Sequence, residues 1–319
     1  MTFCLSACKR QEASTTPAPA TVSETRSTAD RPAPPPPPGA ATATTAAAAS
    51  VQSTARFLIF GDSGEANETQ ARIAAGMARF CAKEGCEFAV HTGDIIYPEG
   101  ISSADDPRLI SNFERPYADL NVPVYLSLGN HEHYGKAEAM VAAWADGGPA
   151  RARGLVDARL PERRYTFVHN NVRFVVLDTM TLDDEQGRWL DDVLARSRAA
   201  GERWVFALGH HPFRSSGMHG PAVGPAREWM EKHLCHRVDV YLSGHDHDKE
   251  VLAPHCGVHQ VISGAAAYVR PIEPKPGSVW ATDTLGWAMA VLDPEQLVLT
   301  FYDDLGRLEA RHTIVRKPR

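Results

Sequence analysis

Large apolar side chains are almost missing from residues 9–54, which are mostly Ala, Thr, Ser and Pro with an unbroken run from Pro34 to Pro38. Such a stretch cannot bury enough surface to offset the entropy of ordering it, so it reads as a disordered, partly extended linker. Also missing is any apolar run long enough to span a bilayer. There is no basic excess either: the formal charge is −6, which leaves no electrostatic footprint for nucleic acid. An anionic small molecule would have to be attracted locally, by bound cations that dominate a site's field whatever the net charge. No internal repeat is visible, and the ~265 residues from position 55 to 319 suit one large α/β domain.

Cysteine is sparse, and its placement carries two readings at each point. Leu5-Ser6-Ala7-Cys8 looks like a bacterial lipobox, making residues 1–8 a remnant of a lipoprotein signal peptide. Only Met1 to Cys4 precede it, too few for a charged region and an apolar region, so a late start and an accidental match both stand. On the first reading the protein is exported, periplasmic or held at the outer membrane by a lipid on Cys8. Cys81 with Cys86, and Cys235 with Cys256, are either local disulfides of an exported protein or small buried hydrophobes.

What is present is a recurring pattern. Five apolar runs each stop at a glycine followed by a good metal ligand: FLIF-Gly61-Asp62, EFAVHT-Gly93-Asp94, VYLSL-Gly129-Asn130, WVFAL-Gly209-His210 and VDVYLS-Gly244-His245. Each run has the length and the β-branched or aromatic content of a buried strand. A glycine at the strand end lets the backbone turn sharply and approach closely, so the next side chain projects from the tip. Ligands of open α/β sheets bind outside the carboxyl ends of strands, so five such tips can converge.

Between these strands the pattern predicts helices from Asn67 to about Glu84, from Asp106-Pro107 to about Asp119, and around Ala137–Trp144, Asp184–Ala199 and Ala226–His236. Trp189, Leu190, Val193 and Leu194 are expected to be buried. An antiparallel pair is expected at 164–169 and 172–178, and mostly β structure after His247: 257–263, 286–292, and 297–302 running on toward Ile314. Alternation first and hairpins last give an α/β fold of two packed mixed sheets with helices outside, a four-layer αββα sandwich.

Carboxylate and imidazole together suit iron, zinc or manganese, and the lack of thiolates near the motifs argues against an iron–sulfur cluster. Asp94 is the natural bridge between two cations. Tyr97, three residues on, is close enough to curl back onto the same ion, and a phenolate favours Fe(III). His245 and His247 lie on one face of an extended segment, so each can serve a different metal.

Gly61-Asp62-Ser63-Gly64, Gly93-Asp94-Ile95-Ile96-Tyr97, Gly129-Asn130-His131-Glu132-His133, Gly209-His210-His211-Pro212 and Gly244-His245-Asp246-His247 resemble the five blocks of the metallophosphoesterases, with their calcineurin-like fold. Tyr97, the segment from Asp105 to Glu114, Leu177-Asp178-Thr179 and the Trp189-Leu190 helix narrow the resemblance to purple acid phosphatases of the small, tartrate-resistant type. It runs from about Arg56 to Gly264. The resemblance implies a ferric ion held by Asp62, Asp94, Tyr97 and His247, and a divalent Fe, Zn or Mn held by Asp94, Asn130, His210 and His245. It also implies that His131 contacts the substrate phosphate and that His219 assists the leaving group. Departures are His211, where Tyr is common, Asp248 in place of a common Asn, and Ser263-Gly264-Ala265-Ala266, which loses a later glycine.

These features imply an acid phosphatase that hydrolyses small phosphate monoesters by attack of a metal-bound hydroxide. A phosphodiesterase or nucleotide hydrolase with two divalent metals, and a surface lipoprotein without catalysis, are the rival readings. His91, His133 and His211 match no required ligand and are assigned to support or packing, and Asp178 to a structural turn.

Overall fold

The computed structural model describes residues 55–316. The lipobox with Cys8 and the linker over 9–54 therefore lie outside the described residues. In chain order the strands are β1 (Ala55–Phe60), β2 (Phe88–His91), β3 (Val124–Leu126), β4 (Ala158–Arg159), β5 (Tyr165–His169), β6 (Val172–Val176) and β7 (Trp204–Leu208). They continue with β8 (Val240–Ser243), β9 (Lys249–His255), β10 (Val258–Ser263), β11 (Ser278–Thr282), β12 (Gly286–Leu292), β13 (Gln296–Asp303) and β14 (Leu308–Val315). They form two sheets of seven, ordered β14-β13-β12-β1-β2-β3-β4 and β11-β9-β10-β8-β7-β6-β5.

Alternation along the strands decides which face meets which layer. In β6 and β7, Phe174, Val176, Phe206 and Leu208 join the inner core, while Val175, Val205 and Ala207 face a second cluster with Leu190, Val193, Leu194 and Met230. Aromatic rings stitch the sheets face to face: Phe57 meets Phe174 edge-on at 5.3 Å and Phe206 at 5.7 Å. The helices Asp184–Ala199 and Gly224–Leu234 cover one outer face, and Glu68–Glu84 packs against β12 on the other. This is the αββα sandwich expected from the pattern.

Helix Glu68–Glu84 starts where expected, because the Asn67 side chain accepts from the Gln70 amide at 2.7 Å. The segment after Asp106 departs from expectation. It opens as a wide π-type turn at Leu109–Glu114 and tightens through Arg115–Tyr117 into a short 3-10 turn. Pro116 is the reason: it has no N–H for the Asn112 carbonyl and its ring disturbs the preceding turn. Gln70 supplies the missing donor, its Nε2 reaching Asn112 O at 2.5 Å.

Three smaller differences have local causes. Trp189 is only half-buried, with the Arg164 guanidinium 5.8 Å from its ring. The short helices Asn130–Tyr134 and Pro149–Arg153 are too brief to show a periodicity, and the edge pair β9 and β11 lacks clean alternation. β13 does not run on toward Ile314; it turns back through 304–307 into an antiparallel pair with β14. Cys81–Cys86 and Cys235–Cys256 are both disulfides, with Cα atoms 5.0 and 5.1 Å apart. Among the described residues, no helix is long and apolar enough to cross a membrane.

Candidate metal centre

The parallel pairs β1–β2–β3 and β6–β7–β8–β10 direct all their carboxyl ends to one edge of the sandwich. Asp62, Asp94, Asn130, His210 and His245 follow β1, β2, β3, β7 and β8, and they meet there. The glycines before them act mainly by absence of bulk. A Cβ on Gly129 would lie 2.1 Å from Asp94 Oδ1, and one on Gly244 would lie 2.1 Å from Asp62 Oδ2. Each gap is where a neighbouring carboxylate passes. Left-handed backbone falls on the residue after the glycine in three cases: Asp62, Asp94 and His245 have φ of 57°, 55° and 67°, and of the glycines before them only Gly93 shares it, at 97°. Such backbone is costly for a residue with a side chain, and it tends to gather at functional sites.

Two groups of side chains converge, with Asp94 common to both. In the first, Tyr97 Oη lies 3.1 Å from Asp94 Oδ2 and 3.4 Å from both Asp62 Oδ1 and His247 Nε2. In the second, His210 Nε2 lies 2.9 Å from Asn130 Oδ1, 3.2 Å from Asp94 Oδ2 and 3.1 Å from His245 Nδ1. All seven sequence-predicted ligand residues are thus brought together. Asp62, Asp94, Tyr97, Asn130, His210 and His247 are buried.

The donor set itself asks for a cation. His210 Nδ1 faces the Thr92 carbonyl at 3.0 Å, and a carbonyl only accepts, so Nδ1 holds the proton of the neutral ring. Nε2 is then a lone pair, aimed at a carboxylate oxygen, an amide oxygen and a second imidazole nitrogen. Acceptors crowded together in a buried site need a shared positive charge. Without a metal the ring takes a second proton: burial opposes this, but Asp94 and Asp62 raise His210 to about 9. Burial and the two carboxylates also push the Tyr97 phenol well above its ordinary value. Its oxygen can coordinate only where a strongly charged ion displaces that proton. The chemistry of the residues present fits bound cations, with Asp94 common to both groups.

Around this group the supporting shell is dense. Glu132 is buried and accepts from four backbone amides: Gly129 at 2.8 Å, Asp94 at 3.0 Å, Ile95 at 2.8 Å and Ile96 at 3.1 Å. It therefore fixes the turn that carries Asp94 and the start of the segment that carries Asn130. The His245 amide lies 3.1 Å from both Asp62 oxygens, and the His131 amide donates to Asp94 Oδ1 at 3.1 Å. His91 packs among Phe60 and Phe113 and bonds Ser63 Oγ at 2.8 Å; burial lowers it to about 3. Asp178 makes the turn, accepting from the Met180 amide, and also holds His133 Nε2 at 3.0 Å and Arg163. Asp248 is buried, and burial with Asp246 and Glu250 pushes its carboxyl up to about 8.

The ligand set opens into a cleft of about 640 Å³. His131 and His219 both line it, as do Tyr268 and Arg270 on the loop after β10. His219 stacks 4.5 Å from His245, and its backbone amide is tied to Asp246 Oδ1 at 2.7 Å. Sequence reasoning missed Glu132, Tyr268 and Arg270. The signal for the last two was Gly264, which ends β10 as the other glycines end their strands; a Cβ there would lie 2.8 Å from Asp62 Oδ2. Glu132 gave only the hint of an acid between two histidines.

Residues 55–249 match the calcineurin-like phosphoesterases. Tartrate-resistant acid phosphatase type 5 of Oryctolagus cuniculus is 28% identical over 294 residues, covering 80% of this chain and 89% of that one. Purple acid phosphatase 4 of Arabidopsis thaliana is 28% identical over 211 residues, covering 60% and 61%. Among solved structures, GAP50, the anchor in the inner membrane complex of Plasmodium, aligns with a TM-score of 0.68 at 19% identity, covering 83% of this chain and 90% of that one. Purple acid phosphatase PPD1 from yellow lupin (Lupinus luteus) seeds aligns at 0.63 and 19% identity, covering 82% and 54%. At those identities the structures speak for the fold alone. The fold, the converging strand tips and the match over most of the described domain agree: the chain belongs to the calcineurin-like phosphoesterase family.

Proposed function

We propose that this chain is an acid phosphatase that hydrolyses small phosphate monoesters, with Fe(III) beside a divalent Fe, Zn or Mn. The observation that carries this is the meeting of buried acceptors around Asp94, with Tyr97 Oη on one side and His210 Nε2 on the other. Asp62, Asp94, Tyr97 and His247 would hold the trivalent ion, and Asp94, Asn130, His210 and His245 the divalent one. Bound there, the pair supplies Lewis acidity toward a phosphoryl group and lowers the pKa of a water.

The protein's own groups do the rest. The His131 ring contacts the Pro98 carbonyl through Nδ1, which leaves Nε2 directed at the cleft, 3.8 Å from Asp94 Oδ2. In its imidazolium form it donates from both nitrogens and can hold a phosphoryl oxygen. His219 lines the cleft beside His245 and His247, and there it would serve an ester's leaving oxygen. As the P–O bond breaks, the electron pair goes to that oxygen and the His219 proton joins it. Burial, and then Arg270, lower His219 from its ordinary value, so the proton is present chiefly at acidic pH.

Two disulfides in one domain suit an oxidising compartment and support export of the protein; Leu5-Ser6-Ala7-Cys8 in the sequence would supply the lipid attachment point. The test of the central reading is hydrolysis of phenyl phosphate across pH, with the visible spectrum of the metal-loaded protein and of Tyr97→Phe. Turnover at acidic pH and a visible band lost in the variant are expected. A colourless, active protein with two divalent ions would remove the ferric assignment, and absence of turnover at every pH would remove the phosphatase reading.

A further inference from the structure

Arg270 lines a cleft built for anions, and among the described residues it has no ion-pair partner. Among the residues lining the cleft it alone carries a permanent positive charge. Elsewhere in the described domain, several half-buried arginines are matched by an acid: Arg153 with Glu114, Arg173 with Glu202, Arg163 with Asp178. Arg270 has no such match among the described residues. Its Nε is buried and makes no hydrogen bond. Its guanidinium lies 5.2 Å from the Tyr268 ring, and that ring in turn meets His247 at 4.4 Å.

The cation is also held in place. The Arg270 amide donates to the His247 carbonyl at 2.9 Å, which ties the loop to the segment carrying two predicted ligands. Tyr268 and the backbone together therefore restrict a side chain that would otherwise be long and mobile. An arginine so held loses less freedom when it binds a carboxylate or phosphate, and its planar fork matches either anion. An unpaired donor that faces a substrate cleft is accounted for when the substrate supplies the acceptor.

Position then says which part of the substrate. Asn130 and His131 lie on the Asp94 side of the cleft, His131 ringed by Tyr97 at 4.4 Å. His219, Tyr268 and Arg270 lie on the other side, beside His245 and His247. With His219 serving the leaving oxygen, Arg270, which lines the same cleft and is tied to His247 through Tyr268, is available to the body of the leaving group. The cleft is much larger than a phosphate group requires, so that region has room to be filled.

We propose that Arg270, braced on Tyr268, binds a second anionic group carried by the leaving group, so that the preferred substrates are phosphate monoesters bearing a further carboxylate or phosphate. This rests on the phosphatase reading for the identity of the scissile group, and it deepens that reading by naming a substrate class. A neutral alcohol or phenol as leaving group would leave the arginine unmatched in the complex, as it is in the free protein.

The test uses two non-hydrolysable ligands that differ only at the far end, propylphosphonate and 3-phosphonopropionate, with calorimetry on the full metal-loaded chain. Wild type is expected to bind 3-phosphonopropionate roughly fivefold to tenfold more tightly, the worth of one charge-assisted contact at a half-exposed site. In Arg270→Ala that ratio should collapse to about one, and Arg270→Lys should restore part of it, since the charge returns without the fork. 1,3-Propanediphosphonate in place of 3-phosphonopropionate then separates a phosphate from a carboxylate as the favoured second anion. The proposal is overturned if wild type shows no preference, or if the preference survives in Arg270→Ala. It is equally overturned if Arg270→Ala weakens both ligands alike, because the guanidinium would then hold the phosphonate itself. Failure of phenyl phosphate turnover with the binding preference intact would count against the phosphatase reading and leave the anion clamp standing.

Discussion

At the scale of single residues, the site depends on one side chain that never touches the reacting groups. Glu132 takes two amides on each carboxylate oxygen, Ile95 and Ile96 on Oε1 and Gly129 and Asp94 on Oε2. Glu132→Gln preserves the shape and the first pair but turns an NH₂ toward the second. Two donors then face a donor in a buried site, at a cost of about 2–3 kcal/mol. The melting temperature should fall by roughly 5–10 °C. Because the displaced turn carries Asp94, metal content after dialysis should fall as well, whereas a purely structural acid would change stability alone. Calorimetry and metal analysis on the same sample separate those outcomes. Single residues also show where sequence reasoning stops. The convergence of the residues after each glycine was legible because metal coordination would restrict which side chains can stand there. Glu132 and Arg270 were not, because their meaning depends on what faces them across the fold, and a sequence does not show an unmatched donor.

At the scale of elements, the irregular segment at 109–120 is a compensated defect. Pro116 deprives Asn112 of its helical donor, and Gln70, on the helix Glu68–Glu84, makes good the loss at 2.5 Å. Gln70 is fully buried and also accepts from the Ala66 amide, so it joins two helical segments to the loop after β1. Gln70→Leu should destabilise the protein by about 1–3 kcal/mol, since it takes the side-chain donor from the buried Asn112 carbonyl and the acceptor from the Ala66 amide. Adding Pro116→Ala supplies an N–H and should recover part of that loss, a coupling measurable by a double-mutant cycle in denaturant. Strict additivity of the two changes would refute the account. The same segment explains one difference between pattern and structure. A proline at 107 correctly announces a helix start, but the second at 116 breaks the ladder, and the periodicity of apolar residues does not register which carbonyl lost its donor. Long elements such as Asp184–Ala199 were legible because their burial repeats. The five-residue helix carrying Asn130 was not, since one turn and a half offers no period to read.

At the scale of the whole molecule, two sheets of different connectivity are joined at one edge by charge as well as by packing. Asp62 comes from the first sheet and His245 from the second, as do Asp94 and His210. Metal bound there would be held by residues from both halves of the sandwich, so its removal should lower the melting temperature by mass action in proportion to affinity. The metal-free protein should then show a steeper pH dependence than the loaded one. With no cation present, His210 is raised from 6.5 to about 9 by Asp94 and Asp62 against the opposing effect of burial. A base whose folded value is raised contributes stability that is complete below its unfolded value, near 6.5, and is lost as pH rises toward 9. Chelated protein is thus expected to lose melting temperature steadily between those limits. The loaded protein should lose less there, because coordination would take the place of the second proton on the ring, while the Asp248 carboxyl, pushed up to about 8, still titrates in that range. His210→Asn should flatten the chelated profile while costing metal content. If the chelated wild type is no steeper than the loaded protein, the ring is not paired with Asp94 in the empty site, and the inter-sheet contact is held by something other than charge.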